Sequence, residues 1–221
     1  MSLFPVAQST LDFPQPLYEK YRPHTIDGFI GLERQKKILS AFAQRPSPCA
    51  WLFPGPSGIG KSTMAMALCE SINGELHHIP SQNANIGTLE ETIRMCWYVP
   101  KNNTFHVVLV DEFDKCSPAF QLALLSKLDS TAPVPQTIWV FTSNGTEQEL
   151  KDKFEARFLS RCRVLEFSSY GMRAEIAALL ASIWQQETGK NGDLNWERIA
   201  KDSGTNVRAA LSALELELLA A

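Results

Sequence analysis

The fold is decided by residues Ala50 to Thr63, AWLFPGPSGIGKST. The apolar run Trp51-Leu52-Phe53 reads as a buried strand. It breaks at Pro54-Gly55, and Lys61-Ser62-Thr63 then open a helical segment. Gly55, Gly60, Lys61 and Ser62 fill every fixed position of the G-x-x-x-x-G-K-[ST] pattern. Glycines at 55, 58 and 60 let the backbone curl around an anion with its N–H groups inward, where a Cβ would intrude. Pro56, Ser57 and Ile59 fill the loop between them, and Thr63 follows its last anchor. A helix beginning at Lys61 adds its positive N-terminal end to the same spot. Lys61 is expected to reach the outer phosphates, and the Ser62 hydroxyl to ligate Mg²⁺. A chance turn would explain the glycines, but not strand, loop and helix in that order. The stretch implies binding of a nucleoside triphosphate.

The whole chain has 221 residues, 44% hydrophobic and 20% charged, with a net charge of −3. That is ordinary globular composition, enough for one large domain or a medium one with a small satellite. Bulk charge gives no argument for nucleic acid, so any such contact must come from a local patch. Cys49, Cys69, Cys96, Cys116 and Cys162 are scattered, without a C-x-x-C pair, which fits reduced thiols rather than a zinc motif. No apolar run is long enough to span a bilayer. The first sixteen residues carry Pro5, Pro14 and Pro16 and lack a signal-peptide plan, so the expectation is an extended N-terminal arm on a cytoplasmic protein.

After that arm, Leu17 to Gly31 (LYEKYRPHTIDGFIG) reads as an extended segment, because Pro23 forbids a continuous helix. Leu32 to Gln44 is helical by spacing, and Lys61 to Ile72 is the helix behind the phosphate loop. Glu75 to Ile79 is a short strand, and Thr88 is expected to cap a helix running to Tyr98. Phe105 to Val110 and Gln136 to Thr142 are buried strands, with a helix from Ser117 to Leu128 between them, and Arg163 to Phe167 closes the series. Alternating strands and helices imply an α/β fold, a parallel sheet with helices on both faces. From Phe167 onward only helices are expected, over 171–188, 194–202 and 206–220. The expected division is therefore an α/β domain over 17–167 and a small helical lid over 168–221.

The strand ending in Asp111-Glu112 supplies the second carrier of chemistry. Asp111 falls at the C-terminal edge of the sheet, where ligands lie in such folds. A carboxylate there can share Mg²⁺ with Ser62, and Glu112 is suited to polarise an attacking water. Asn144 ends the next strand in TSN and can position that water or a γ-phosphate oxygen, although Asn-Gly alone means a turn. Asp114 could be a helix-initiating acid and no more.

Together these residues resemble a family. LYEKYRPHTIDGFIG, GPSGIGKST, VDEFDK, TSN, SRC at Ser160 to Cys162 and GTNVR at Gly204 to Arg208 occur in the order of the AAA+ P-loop ATPases. The resemblance is to the clamp-loader branch, the replication factor C small subunit and its phage relatives, and it covers about residues 17–221. It implies that Tyr21, Arg22 and Pro23 lie against the nucleotide base. It implies that Arg161 is a finger reaching the nucleotide of a neighbouring subunit, and that Arg208 senses the γ-phosphate in its own. Without the family, both arginines would read as surface or ion-pair residues.

The resemblance further implies ATP as substrate, Mg²⁺ as cofactor, oligomers with like subunits, primer–template DNA, and a sliding clamp as a possible partner. Clamp-loader subunits continue into a helical collar domain, whereas this sequence stops at Ala221. The expectation is a collarless relative, or the same engine in other use: a helicase loader, a branch-migration motor or a transposition regulator. A P-loop kinase and a non-catalytic ATP-binding subunit are the readings from outside that class. Arg94 and the loop Lys101-Asn102-Asn103 could face a phosphate backbone, though a solvated face explains each singly.

Overall fold

The structure is a computed structural model, and it describes residues 15–101, 104–128, 134–145 and 147–220. The expected N-terminal arm, but for its last two residues, and Asn102-Asn103 lie outside the described residues. Among the described residues, five strands, β1 (Cys49–Gly55), β2 (Glu75–Pro80), β3 (His106–Asp111), β4 (Thr137–Asn144) and β5 (Cys162–Val164), form one sheet in the order β2-β3-β4-β1-β5. Every pairing between these five strands is parallel. The register sets Gly55 opposite Asn144 and Val110 opposite Phe141, so the phosphate loop, Asp111 and Asn144 all emerge at one edge of the sheet.

Alternate residues of the central strands feed two separate cores, as strand pleating requires. Trp51, Phe53, Val107, Leu109, Ile138 and Val140 face helices α2 (Glu33–Gln44) and α3 (Lys61–Ser71). Ala50, Leu52, Val108, Val110, Trp139 and Phe141 face α4 (Ile86–Cys96), α5 (Pro118–Leu125), α6 (Glu147–Lys153) and α7 (Ala156–Leu159). The chain ends in α8 (Arg173–Thr188), α9 (Trp196–Asp202) and α10 (Val207–Ala220). Their buried residues Ile176, Leu180, Ala200, Leu211 and Leu214 join the first core, so these helices pack on the same side as α2 and α3.

Several local expectations change. Residues 17–31 are not extended throughout: Leu17–Lys20 forms a helical turn, α1, and Ile26–Gly28 a 3₁₀ turn. Pro16 sits at the N-cap of the first, where its missing N–H costs nothing. The side chain of Thr25 accepts from Gly28 N at the second. The last strand is Cys162–Val164 instead of Arg163–Phe167. Leu165 N and Phe167 N still donate to Leu52 O and Pro54 O at 2.9 and 2.7 Å, so the chain runs beside β1 to its end. Helices α6 and α7 were not foreseen. They are short, α6 is mostly polar, and they are held by Leu150, Phe154 and Phe158 buried in the second core.

Helix α4 begins two residues before Thr88. Asn85 is its N-cap, and its Oδ1 accepts from Thr88 N at 3.0 Å. Thr88 thus receives the cap instead of supplying it. Asn85→Ala should cost about 1 kcal/mol, a drop in Tm of a few degrees for a chain of this size. Thr88→Ala should cost clearly less in the same thermal melt, and the opposite ranking would restore Thr88 as the cap.

Candidate active site

The phosphate loop joins β1 to α3. Gly55, Gly58 and Gly60 have φ of +150°, +75° and +99°. A Cβ on Gly55 would lie 2.2 Å from Phe167 O, and one on Gly58 would lie 1.9 Å from Asn206 Oδ1. The loop is therefore pressed against the last residues of the α/β sheet and against the start of α10. Ile59 is buried in the first core, so it can offer a ligand only its backbone. Lys61 opens α3 and is 7% exposed. Its Nζ donates to Gly55 O and Pro56 O, both at 2.8 Å, and to Asn144 Oδ1 at 3.1 Å. All three acceptors are neutral. Burial pulls its pKa down to about 8, partly offset by the carboxylates of Asp114, Asp111 and Glu112 and reinforced by Arg208.

Ser62 Oγ donates to Asp111 Oδ1 at 2.5 Å, and Thr142 Oγ1 donates to the same oxygen at 2.9 Å. His78 Nε2 lies 2.8 Å from Asp111 Oδ2. Burial raises the Asp111 pKa, but the bonds from His78, Ser62 and Thr142 outweigh it and hold the carboxyl below its usual range. Glu112 has left-handed backbone, φ 50° and ψ 49°, a strained turn for a side-chain-bearing residue at the end of a strand. Its N–H is held by Thr142 Oγ1 at 3.0 Å. Its carboxylate accepts from Lys115 Nζ at 2.8 Å and Asn144 Nδ2 at 3.3 Å. The Lys115 bond is the main reason its pKa lies below the usual glutamate value. Asn144 is fixed in turn, with its N donating to Asp114 Oδ1 at 3.2 Å and its O accepting from Lys153 Nζ at 3.0 Å.

These groups floor a cleft of about 330 Å³. Its walls are the loop from Ser57 to Thr63, the segment Tyr21-Arg22-Pro23 with Phe29 and Ile30, and the helical end of the chain at Leu179, Val207, Arg208 and Leu211. Tyr21 is tied across it: its hydroxyl donates to Glu187 of α8, which also pairs with Lys20 at 2.7 Å. Arg22 pairs with Glu19 at 2.9 Å. Every sequence-predicted residue of this site lines or supports the cleft except Arg161. Arg161 follows α7 beside β5, and its Nη1 donates to Arg157 O at 2.7 Å. Arg94 is on the exposed face of α4, 3.9 Å from Glu91.

Sequence reasoning missed Thr142 and His78. Thr142 was legible, because it lies two residues before Asn144 on a strand and so shares its face. His78 was not, since only the pairing of β2 with β3 brings it to Asp111.

The residues fit a nucleotide and its metal. A buried lysine hydrogen-bonded only to neutral oxygens, at the edge of an open cleft, calls for an anion. Ser62 and Asp111 form an oxygen-only donor pair, the type that suits Mg²⁺. Phe29, Ile30, Leu179 and Leu211 give the cleft an apolar share of its lining, as a base would need.

The model of one family, "ATPase family associated with various cellular activities (AAA)", matches residues 51–169. Among curated relatives, a replication factor C small subunit of Methanothermobacter thermautotrophicus is 31% identical over 121 residues, covering 52% of this chain and 38% of the relative. Replication factor C small subunit 1 of Pyrobaculum arsenaticum is 28% identical over 207 residues, 90% of this chain and 60% of the relative. The chain thus spans less than two thirds of either. A solved mutant of Thermotoga maritima RuvB superposes with a TM-score of 0.71 at 20% identity, over 91% of this chain and 68% of that one. The T. maritima structure described as a RuvB Holliday junction branch migration motor gives 0.68 at 22%, over 88% and 64%. At those identities the structures attest the fold. The family match covers more than half of the chain and contains the phosphate loop, Asp111, Glu112, Asn144 and Arg161. The chain belongs to the AAA family of ATPases.

Proposed function

We propose that this chain is a Mg²⁺-dependent ATPase that works as one subunit of an oligomer on DNA, in the manner of a clamp loader. The observation that carries the reading is the convergence of Lys61, Ser62, Asp111, Glu112 and Asn144 at one sheet edge inside a single cleft. Lys61 and the loop amides hold the outer phosphates. Ser62 and Asp111 hold the metal, which when bound neutralises charge on the phosphate oxygens. Glu112 polarises a water and Asn144 orients it. Tyr21, Arg22 and Pro23 bracket the base. Residues 168–221 act as the lid, and Arg208 on it reports the γ-phosphate through the angle of α10.

Arg161 completes a neighbour's site, a role supported by its place outside its own cleft and by the SRC context. The likeness to replication factor C small subunits supports DNA and a sliding clamp as partners.

The test is steady-state ATP hydrolysis over a range of protein concentration, with and without primer–template DNA. Turnover per chain should rise with both, and Arg161→Ala chains mixed with wild type should depress it more than in proportion. Turnover indifferent to concentration and DNA would overturn the oligomeric DNA motor.

A further inference from the structure

A second cluster of chemistry lies on the sheet about 17 Å from Asp111, at the other end of β3. His77 on edge strand β2, His106 at the start of β3 and Cys96 at the end of α4 place a ligand atom each within 4.8 Å of the others. Cys96 and His106 are buried, and His77 is half-buried beside them. None of the three takes part in the site described above.

The hydrogen bonds fix which atoms face inward. His106 Nε2 is 2.9 Å from Tyr98 O. A carbonyl can only accept, so Nε2 carries the proton and Nδ1 turns its lone pair into the cluster. Anchoring the outer imidazole nitrogen on a backbone carbonyl is how proteins orient metal-ligating histidines. His77 Nε2 lies 2.9 Å from that same Nδ1. Glu75, two residues earlier on the same face of β2, puts Oε2 4.0 Å from His106 Nδ1 and is held by Lys101 N at 3.0 Å. Burial pushes the Cys96 thiol to about 11 and the His77 imidazole below its usual value.

We propose that His77, Cys96 and His106, with the Glu75 carboxylate as fourth ligand, form a zinc-binding site that clamps the end of α4 to the β2–β3 edge. Nitrogen and thiolate donors are the set that suits Zn²⁺ over Mg²⁺ or Ca²⁺. One thiolate and one carboxylate neutralise the ion in a buried place. On binding, the Cys96 proton leaves to solvent, and the His77 proton moves from Nε2 to Nδ1, freeing Nε2 as a ligand. Tetrahedral bonds of about 2.0–2.3 Å place ligand atoms roughly 3.3–3.7 Å apart, so the histidine pair opens by only a few tenths of an ångström. The α4 end contributes twice, through the Cys96 sulfur and through Tyr98 O behind His106. A hydrogen-bonded histidine pair alone would need neither the thiol nor the carboxylate.

The test uses the full chain, stripped with a chelator and titrated with Co²⁺ in excess Mg²⁺, which occupies the oxygen ligands at Ser62 and Asp111. The expected result is a thiolate-to-cobalt charge-transfer band with the visible spectrum of a tetrahedral centre. It should saturate at one ion per chain and be displaced by Zn²⁺. Zn²⁺ should raise Tm by several degrees. Cys96→Ser should abolish the band, and Cys49→Ser should leave it intact. His77→Gln, at a half-buried position that tolerates exchange, should weaken binding at least about ten-fold. No stoichiometric band in wild type, or a band of unchanged affinity in His77→Gln, would overturn the site.

Discussion

Glu112→Gln should bind ATP as wild type does and lose turnover by at least about a hundred-fold, the range a positioned general base supplies. The backbone at Glu112 is already committed to its left-handed turn, held by Thr142 Oγ1 at 3.0 Å, and glutamine has the same shape. What changes is the acceptor. Glutamate offers two oxygens, one to Lys115 and one to Asn144 Nδ2. Glutamine must turn its NH₂ toward one of those donors. Lys115 is exposed and can swing away, so the fold loses little. The amide cannot take a proton from water, so the chemical step loses its base. Because the Lys115 bond keeps the Glu112 carboxyl below its usual pKa, wild-type turnover should hold down to mildly acidic pH before falling. Nucleotide affinity by equilibrium binding and kcat by phosphate release separate the two effects. Undiminished kcat removes Glu112 from its role, and lost affinity would mean that its place is structural.

The same residues explain how far the sequence could be read. Gly55, Gly60, Lys61 and Ser62 constrain one another at fixed spacing, and the structure keeps that geometry because each position has a steric or electrostatic reason. Asp111, Glu112 and Asn144 were legible because they end apolar strands, and parallel strands end at a common edge. The second layer was not. His78 meets Asp111 only through the β2–β3 register, and Glu187 meets Tyr21 across 166 residues. Such contacts carry no local pattern. Short helices such as α6 and α7 escaped for a related reason: three buried side chains hold them, and propensity does not. The His77, Cys96 and His106 cluster belongs with these, since scattered cysteines argued against zinc until the sheet drew one of them to two histidines.

Lys61→Met should weaken ATP binding about ten- to a hundred-fold, the range for charge-assisted hydrogen bonds, while leaving the nucleotide-free protein as stable as wild type or more so. Its ammonium is buried at the end of β1 and α3, and its three acceptors are neutral oxygens at the mouth of an open cleft. Burial takes its pKa from 10.5 to about 8 in the folded chain. Below about pH 8 both folded and unfolded chains hold the proton, and the full cost of the buried charge is present. Between about 8 and 10.5 the folded chain has released it and the unfolded chain has not, so the unfolded state binds more protons and the contribution of this lysine to stability rises with pH. Methionine keeps all of the side chain's length but the terminal atom and removes the titration. The variant should therefore lack that alkaline gain, and near neutral pH its Tm should equal or exceed that of wild type by a few degrees. Denaturant melts of both proteins at neutral pH and at pH 10, without nucleotide, read the difference directly. If the stability of both proteins changes equally between the two pH values, Lys61 is not the group that titrates. If it keeps wild-type affinity for ATP, the cleft binds its anion by the loop amides alone. The expected pattern, weaker binding with no loss of stability, is that of a charge held out of water for a ligand's sake.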